Sequence, residues 1–142
     1  MPVRTADAEW KGDLPRGKGT VRSQSGALDG QYSFGSRFEE GTGTNPEELI
    51  AAAHAGCYSM ALSNMLAQAG HTPDSVKTTA RVHLDKVEGG VAITRIDLVC
   101  RARVPGLDQA GFLEHAVNAK TGCPVSRALA AVEITLDAAL AS

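Results

Sequence analysis

The sequence holds 142 residues, of which 43% are hydrophobic and 21% are charged, so we expect one domain over residues 1–142 with a single core. Its 14 Lys and Arg are scattered among 16 Asp and Glu, and the formal net charge is -2. This charge pattern excludes the basic surface that nucleic acid or an anionic membrane requires, and it leaves a neutral small molecule or a protein as the expected partner.

The first segment, residues 4–40, is rich in Gly and Ser and alternates between apolar and polar positions. This pattern predicts a short antiparallel meander, with turns near residues 15–19 and 28–30. A loop over residues 41–44 follows.

A long helix is predicted to begin after Asn45, which can cap it, with Pro46 at the first helical position and Glu48 completing a pattern like a capping box. It should run to Ala69 and stop at Gly70. Because its side chains leave almost no polar face, we expect protein to surround the helix on nearly every side. Membrane insertion is the competing interpretation, but Ser, Asn and Gln interrupt the apolar run and alanine dominates it.

Two long strands are predicted at residues 76–87 and 91–104, joined by a tight hairpin turn. The second of them alternates between an apolar face, which we assign to the core, and a charged face, which we assign to solvent. The apolar face comprises Ile96, Leu98, Cys100, Ala102 and Val104.

A second helix is predicted from Asp108 to Gly122, and a short third helix from Pro124 through Leu129. Residues 132–140 alternate as a closing strand. The apolar side of the second helix is assigned to Phe112, Leu113, Ala116 and Val117.

Three cysteines, Cys57, Cys100 and Cys123, are far apart and odd in number, which argues against the disulfide framework of a secreted protein. The first residues also show no charged stretch followed by an apolar run, so nothing there is typical of a secretory signal. We therefore expect a cytoplasmic protein. In that reducing compartment, separated thiols are core residues, metal ligands or redox catalysts.

The sequence surroundings of the thiols differ. Cys100 lies on an apolar strand face, where cysteine behaves as a small hydrophobic residue. Cys123 directly precedes Pro124, so its sulfur would lie at the positive end of a helix, which favours thiolate; the alternative is a capping residue that happens to be cysteine. Cys57 lies in mid-helix and would need an external cation to be reactive. Arg37 is the candidate by elimination, although it could equally be a solvated strand residue.

His54 lies one turn before Cys57 and shares roughly its face. It could be a base, a metal ligand or a packing residue. A zinc site built from Cys57, His54 and Cys123 would need a fourth ligand or an open position, and the close ligand pairs typical of zinc sites are missing. We therefore expect no metal and no cofactor.

Two separated motifs carry a family resemblance: TNPEELIAAAHAGC at residues 44–57 and GCPVS at residues 122–126. With these motifs the chain resembles the OsmC (osmotically inducible protein C) branch of the OsmC/Ohr peroxidases. The similarity extends to WKGD at residues 10–13, RGKGT at residues 16–20 and LDKV at residues 84–87. Gly56 stands where alanine is common in the family, a small departure away from the positions that carry chemistry.

The resemblance implies a peroxidatic cysteine at Cys57, a resolving cysteine at Cys123, and an active-site pair formed by Arg37 and Glu47. It implies a thiol peroxidase that reduces organic hydroperoxides, and hydrogen peroxide more weakly, through a sulfenic acid and a Cys57–Cys123 disulfide that an external dithiol reopens. The implied fold is α+β, with antiparallel sheets wrapped around a long central helix in an intertwined homodimer.

Glu47 and Cys57 are ten residues apart, a rise of about 15 Å on a straight helix, which excludes direct contact between them within one helix. Either Arg37 spans them, or the helix is interrupted, or the partner subunit supplies Arg37 and Glu47; we prefer the last. Two rival functions are a non-enzymatic thiol redox sensor and a carrier of an apolar ligand. The sequence leaves open whether Cys57 or Cys123 is the more acidic thiol.

Overall fold

The computed structural model describes residues 1–141 and divides them into two compact units, residues 1–49 and residues 50 onward. Two three-stranded sheets and one long helix give the mixed α+β architecture expected from the sequence. In chain order the elements are β1 (Ala6–Lys11), β2 (Lys18–Ser23), β3 (Asp29–Tyr32), α1 (Phe34–Phe38), α2 (Pro46–Gln68), β4 (Ser75–Val87), β5 (Gly90–Arg103), α3 (Gln109–Gly122), α4 (Pro124–Ala128) and β6 (Glu133–Leu140).

The first unit contains the predicted antiparallel meander, in the order β1-β2-β3. The second turn covers residues 24–27 rather than 28–30, because Gly26, with a φ of 78°, takes the conformation that the turn requires. The meander also ends at Tyr32, and the short helix α1 follows where a strand was expected. Ser33 and Ser36 cap α1 reciprocally: each side-chain oxygen accepts the other residue's backbone N–H.

Helix α2 begins and ends close to the predicted residues. Asn45 caps it by accepting the Glu48 N–H at 2.8 Å, whereas the Glu48 carboxylate accepts the Thr44 hydroxyl instead of closing a capping box. Gly70, with a φ of 90°, lies just past the last turn. The helix is continuous from Pro46 to Gln68, so an interruption between its first turn and Cys57 is excluded.

Within residues 1–141, only one stripe of α2 is fully buried. Its members recur every four residues, and each is 0% exposed: His54, Tyr58, Leu62 and Leu66. On the opposite side Met60 is 76% exposed. The expectation of protein on nearly every side is therefore not met by the chain's own residues.

The second unit is built on the sheet β4-β5-β6. β4 and β5 form the predicted hairpin, and Gly89 occupies its two-residue turn with a φ of 88°. β6 pairs parallel to β5, which departs from the all-antiparallel expectation, because α3 and α4 form a long crossover between them. The alternation predicted for β5 is confirmed: Ile96, Leu98, Cys100 and Ala102 are each 0% exposed.

Helix α3 begins at Gln109, one residue after the predicted start, and Asp108 caps it: its side chain accepts the Gly111 N–H. Its buried face consists of Phe112, Ala116 and Ala119, so the assignment of Leu113 and Val117 to that face is wrong: they are 42% and 46% exposed. The spacing i, i+4, i+7 describes the buried stripe. Helix α4 ends at Ala128, and Leu129 is its C-cap. Within residues 1–141, none of the helices combines the length and the hydropathy of a membrane span.

Candidate active site

Cys57 and Cys123 meet in the second unit. Cys57 is half-buried on α2, and Cys123 is fully buried at the junction where it ends α3 and caps α4. The Cys123 thiol donates to the Cys57 sulfur with 2.8 Å between the two sulfur atoms, and both cysteines are free thiols. The structure therefore brings two residues 66 positions apart in sequence to a separation from which a disulfide can form.

A backbone N–H in the first turn of α4 forms a hydrogen bond with Cys57 rather than with Cys123. Pro124 occupies the first helical position and has no N–H, and the next residue, Val125, donates its backbone N–H to the Cys57 sulfur. The Cys123 side chain accepts no capping hydrogen bond. The predicted cap position of Cys123 is therefore confirmed, but the cap makes no hydrogen bond with its side chain.

The pKa of Cys57 is raised above its ordinary value of 9.0, and burial is the largest cause. The contact with Cys123 raises it further, because two adjacent sulfurs do not readily both carry charge, while the Val125 N–H lowers it. Among the described residues of its own unit, no cation contributes to stabilising the Cys57 thiolate. A positive charge near Cys57 would lower this pKa and favour the thiolate.

His54 is 0% exposed, and its Nε2 lies 2.7 Å from the Ser126 hydroxyl oxygen on α4. Burial lowers the pKa of His54 below its ordinary value of 6.5, so the ring is neutral at neutral pH. Its Nδ1 is buried and has no hydrogen-bond partner in residues 1–141. Over the same residues, no cluster of three or more His, Cys, Asp or Glu is placed to hold a metal ion.

Arg37 and Glu47 form a two-pronged ion pair in the first unit. Arg37 Nε and Nη2 each donate at 3.0 Å, to Glu47 Oε1 and Oε2 respectively. Arg37 lies in the last turn of α1, so its interpretation as a solvated strand residue is wrong, and Glu47 is buried in the first turn of α2. The hydrogen bonds that Arg37 donates to the Glu47 carboxylate raise the pKa of Arg37 above its ordinary value.

A cavity of about 400 Å³ lies beside Arg37 in the same unit. The Arg37 guanidinium lies 5.3 Å from the centre of one lining ring, that of Phe38. The Tyr32 ring, another part of the lining, has room because residue 19 is glycine: a Cβ at Gly19 would lie 2.5 Å from this ring. The four aromatic residues of the lining are Trp10, Tyr32, Phe34 and Phe38.

A family model described as "OsmC-like protein" matches residues 39–137. The chain belongs to the OsmC family. It is 56% identical over 140 residues to "Peroxiredoxin OsmC" of Escherichia coli (strain K12), which covers 98% of this chain and 97% of that protein. It is 32% identical over 126 residues to the "Organic hydroperoxide resistance protein" of Xanthomonas axonopodis pv. citri (strain 306), covering 86% and 87%.

Solved structures agree with this OsmC membership. The organic hydroperoxide resistance protein OhrB of Bacillus subtilis superposes with a TM-score of 0.76 at 29% identity, covering 94% of this chain and 97% of that one. An OsmC protein from Legionella pneumophila superposes with a TM-score of 0.75 at 25% identity, covering 98% and 99%. The family resemblance inferred from the two motifs is thereby confirmed.

Three features of the site were missed in the sequence. Helix α1, which carries Arg37, could have been found from the Ser33-x-x-Ser36 pattern, in which serine replaces the usual Glu or Gln of a capping box. The His54–Ser126 contact has a weaker signal. His54 lies three residues before Cys57, and Ser126 lies three residues after Cys123. The Val125 N–H at the Cys57 sulfur has no sequence signal at all.

Proposed function

We propose that this OsmC-family protein is a thiol peroxidase that reduces organic hydroperoxides, with Cys57 as the attacking thiolate and Cys123 as the resolving thiol. The observation that carries the proposal is the 2.8 Å contact between the two sulfurs. The names of relatives, "Peroxiredoxin OsmC" and "Organic hydroperoxide resistance protein", support the same reaction class.

The reaction needs only sulfur, peroxide and an external dithiol. The Cys57 thiolate attacks the terminal peroxide oxygen, the O–O bond breaks, and the alkoxide takes a proton and leaves as an alcohol. The resulting sulfenic acid is attacked by Cys123, which forms the Cys57–Cys123 disulfide and releases water. A dithiol reductant then supplies two electrons and two protons to restore both thiols.

Exposure favours this division of roles. Cys57 is half-buried and can be reached by a peroxide, whereas Cys123 is 0% exposed. The Val125 N–H also points at the Cys57 sulfur, where it would stabilise developing negative charge. Cys123 is therefore better placed to attack a sulfenic acid than a peroxide.

We further propose that Arg37 supplies the cation that Cys57 lacks and that Glu47 holds the guanidinium in position. The ion pair with Glu47 uses Nε and Nη2, and Nη1 has no partner within residues 1–141, so it can donate to a thiolate or a peroxide oxygen. A nearby guanidinium lowers a thiol pKa and would offset the effect of burial on Cys57.

A homodimer accounts for how the cation reaches Cys57. Glu47 and Cys57 lie on one continuous helix, separated by about 15 Å of rise, so we propose that the pair of one subunit serves Cys57 of its partner. The exposed side of α2 is suited to a second copy because it presents small and apolar residues, namely Ala52, Ala53, Gly56 and Met60. A Cβ at Gly56 would meet no atom within 4 Å, which leaves room for another backbone.

Mixed dimers test this arrangement. Cys57→Ser and Arg37→Met homodimers should each be nearly inactive. If Arg37 acts across the interface, unfolding and refolding the two variants together should restore about a quarter of the wild-type rate per subunit, because half the dimers are mixed and each contains one intact site. No recovery in verified mixed dimers would place Arg37 and Cys57 of one active site in the same subunit.

Three broader features complete the proposal. The two compact units act as one OsmC-like domain, since the family match at 39–137 extends across their boundary. The apolar cavity beside Arg37 favours alkyl and aryl hydroperoxides over hydrogen peroxide. The cytoplasm is the proposed location, since all three cysteines are free thiols and the reaction needs them reduced.

Replacing Cys57 by Ser separates the proposed peroxidase from its rivals. The substitution should abolish peroxide consumption in an enzyme, remove switching in a redox sensor, and leave ligand affinity nearly intact in a carrier. In Cys123→Ser, one equivalent of peroxide should leave a sulfenic acid on Cys57 that a trapping reagent and mass spectrometry locate. Modification at Cys123 in the reciprocal variant would reverse the roles.

A further inference from the structure

Two contacts at matched spacing join α2 to the segment that carries the resolving cysteine. Cys57 meets Cys123, and His54 meets Ser126. His54 precedes Cys57 by three residues, and Ser126 follows Cys123 by three. The second contact therefore lies about one helical turn from the reacting sulfurs on both segments.

Helix α4 depends on such contacts for its position. It has five residues, far fewer than a helix needs to be stable by itself. One contact, from the Val125 N–H to Cys57, involves the sulfur that is oxidised in turnover. The His54–Ser126 hydrogen bond involves no reacting atom, so it can persist while Cys57 carries an oxygen.

The buried ring of His54 is poorly satisfied apart from this bond. It is 0% exposed, and Ser126 is its hydrogen-bond partner within the described part of the chain. With the proton on Nδ1, that N–H has no acceptor; with the proton on Nε2, the lone pair of Nδ1 has no donor. Burying a polar group with one ring nitrogen unsatisfied costs free energy, whereas the bond to Ser126 fixes the position of Ser126 relative to α2.

We infer that His54 and Ser126 are positioning residues for the resolving step of the proposed peroxidase. Their hydrogen bond holds Cys123 within reach of the Cys57 sulfenic acid, so that the disulfide forms and water leaves before a second hydroperoxide arrives. That second hydroperoxide would oxidise the sulfenic acid to a sulfinic acid and leave as an alcohol, which inactivates the thiol.

Ser126→Ala tests the inference, with Ser59→Ala as the matched control. Ser59 lies two residues after Cys57 and loses the same kind of hydroxyl contact, a 2.7 Å bond to Thr78 on β4 rather than a contact with α4. Stopped-flow single-turnover assays should show sulfenic acid forming within twofold of the wild-type rate in both variants. Disulfide closure should slow about tenfold in Ser126→Ala only, an effect of the size expected for one buried hydrogen bond.

A pair of variants at His54 provides a second measurement if Ser126→Ala folds poorly. His54→Gln keeps an amide that can bond the Ser126 hydroxyl and should close the disulfide within about threefold of wild type, whereas His54→Met should close it about tenfold more slowly. Under excess cumene hydroperoxide, the slow variants should accumulate sulfinic acid on Cys57 by mass spectrometry. Closure at the wild-type rate in Ser126→Ala or His54→Met would overturn the inference, as would equal slowing of sulfenic acid formation and closure.

Glutathione redox buffers separate this inference from the proposed function. In them the thiol pair exchanges with oxidised glutathione to give the protein disulfide and two reduced glutathione molecules, with no peroxide involved. The effective concentration of the pair should fall about tenfold in Ser126→Ala and stay within twofold of wild type in Ser59→Ala. An unchanged effective concentration in Ser126→Ala would contradict the positioning role of the His54–Ser126 bond. Failure of the wild-type protein to consume hydroperoxide would instead contradict the proposed peroxidase function.

Discussion

The two compact units contain different parts of the proposed chemistry. The first, residues 1–49, has no cysteine, but it has the Arg37–Glu47 ion pair and four of the six aromatic residues around one cavity. The second contains all three cysteines, and burial raises the pKa of Cys57 there. The difference teaches that the unit with the thiol pair and the apolar core is not the unit with the ion pair, so the proposed activation of Cys57 by Arg37 makes a testable link between two differently built regions.

The same contrast holds for packing. Over residues 1–141, every fully buried hydrophobic side chain belongs to the second unit. In the first unit the buried polar side chains are Ser36 and Glu47, held by hydrogen bonds to Thr44 and Arg37. The second unit is therefore held chiefly by apolar burial, whereas directional polar contacts position the ion pair in the first.

Truncating one leucine in each unit should give the largest difference. Leu98 is 0% exposed and Leu28 is 51% exposed. Leu98→Ala should lower the free energy of unfolding by about 2–5 kcal/mol, because it removes buried apolar surface and leaves a cavity. Leu28→Ala should change it by less than about 0.5 kcal/mol. Urea denaturation followed by circular dichroism measures both, and equal losses would contradict the assignment of the apolar core to the second unit.

Removing the guanidinium should give the next largest effect, on activity. Arg37→Met should lower kcat/KM for cumene hydroperoxide about 100-fold, because the thiolate and the leaving oxygen lose a charged donor. In a Cys123→Ser background, the pKa of Cys57, read from the pH dependence of alkylation, should rise, since a nearby cation favours the charged thiolate.

Arg16→Met is the matched control for Arg37→Met. Arg16 also pairs through Nε and Nη2 with a carboxylate of the first unit, that of Asp13, but its side chain is 86% exposed. This substitution should leave both kcat/KM and the pKa of Cys57 unchanged. A similar loss in the two variants would mean that general surface charge, rather than Arg37, supports the reaction.

Elements with a local signal were predicted well from the sequence. The start of α2 depends on Asn45 and Pro46, the end on Gly70, and the core face of β5 on alternation, and each of these signals acts over a few residues. The parallel pairing of β6 was not predictable in this way, because it depends on how a 29-residue connection, residues 104–132, crosses the sheet.

The sequence singled out candidate site residues, whose roles stay predictions, and it described their geometry less well. Motif resemblance singled out Cys57, Cys123, Arg37 and Glu47, and the structure joins them as two pairs. The position of the α4 amide at Cys57, rather than at Cys123, follows from tertiary packing that no spacing rule describes. The side of α3 that is buried was likewise decided by its neighbours rather than by the hydrophobicity of Leu113.

Substrate preference tests the cavity of the first unit, with a smaller expected effect. Phe38 lines this cavity and is 37% exposed, and Leu113 of α3 is a control at 42% exposed. Phe38→Ala should raise KM for cumene hydroperoxide about fivefold, because part of an apolar contact surface is lost. It should leave turnover of hydrogen peroxide nearly unchanged, and Leu113→Ala should alter neither. Equal effects of Phe38→Ala on both peroxides would remove the cavity from substrate binding.

The smallest effect is a loss of folding stability linked to His54, which is absent at neutral pH and appears only in acid. Burial lowers the pKa of His54 in the folded chain below its ordinary value of 6.5, so below pH 6.5 the unfolded chain binds a proton that the folded chain does not. The contribution of the neutral ring to the free energy of unfolding is therefore fully present above pH 6.5. It falls as the pH decreases, by at most about 1.4 kcal/mol per pH unit for one proton, until the pH passes the pKa of His54 in the folded chain. His54→Gln should remove this component, as urea denaturation between pH 7 and pH 5 measures. If the free energy of unfolding depends on pH identically in the wild-type protein and in His54→Gln, the ring titrates alike in the folded and unfolded states. A difference would show that the second unit, which favours the neutral thiol at Cys57, favours the neutral imidazole for the same reason.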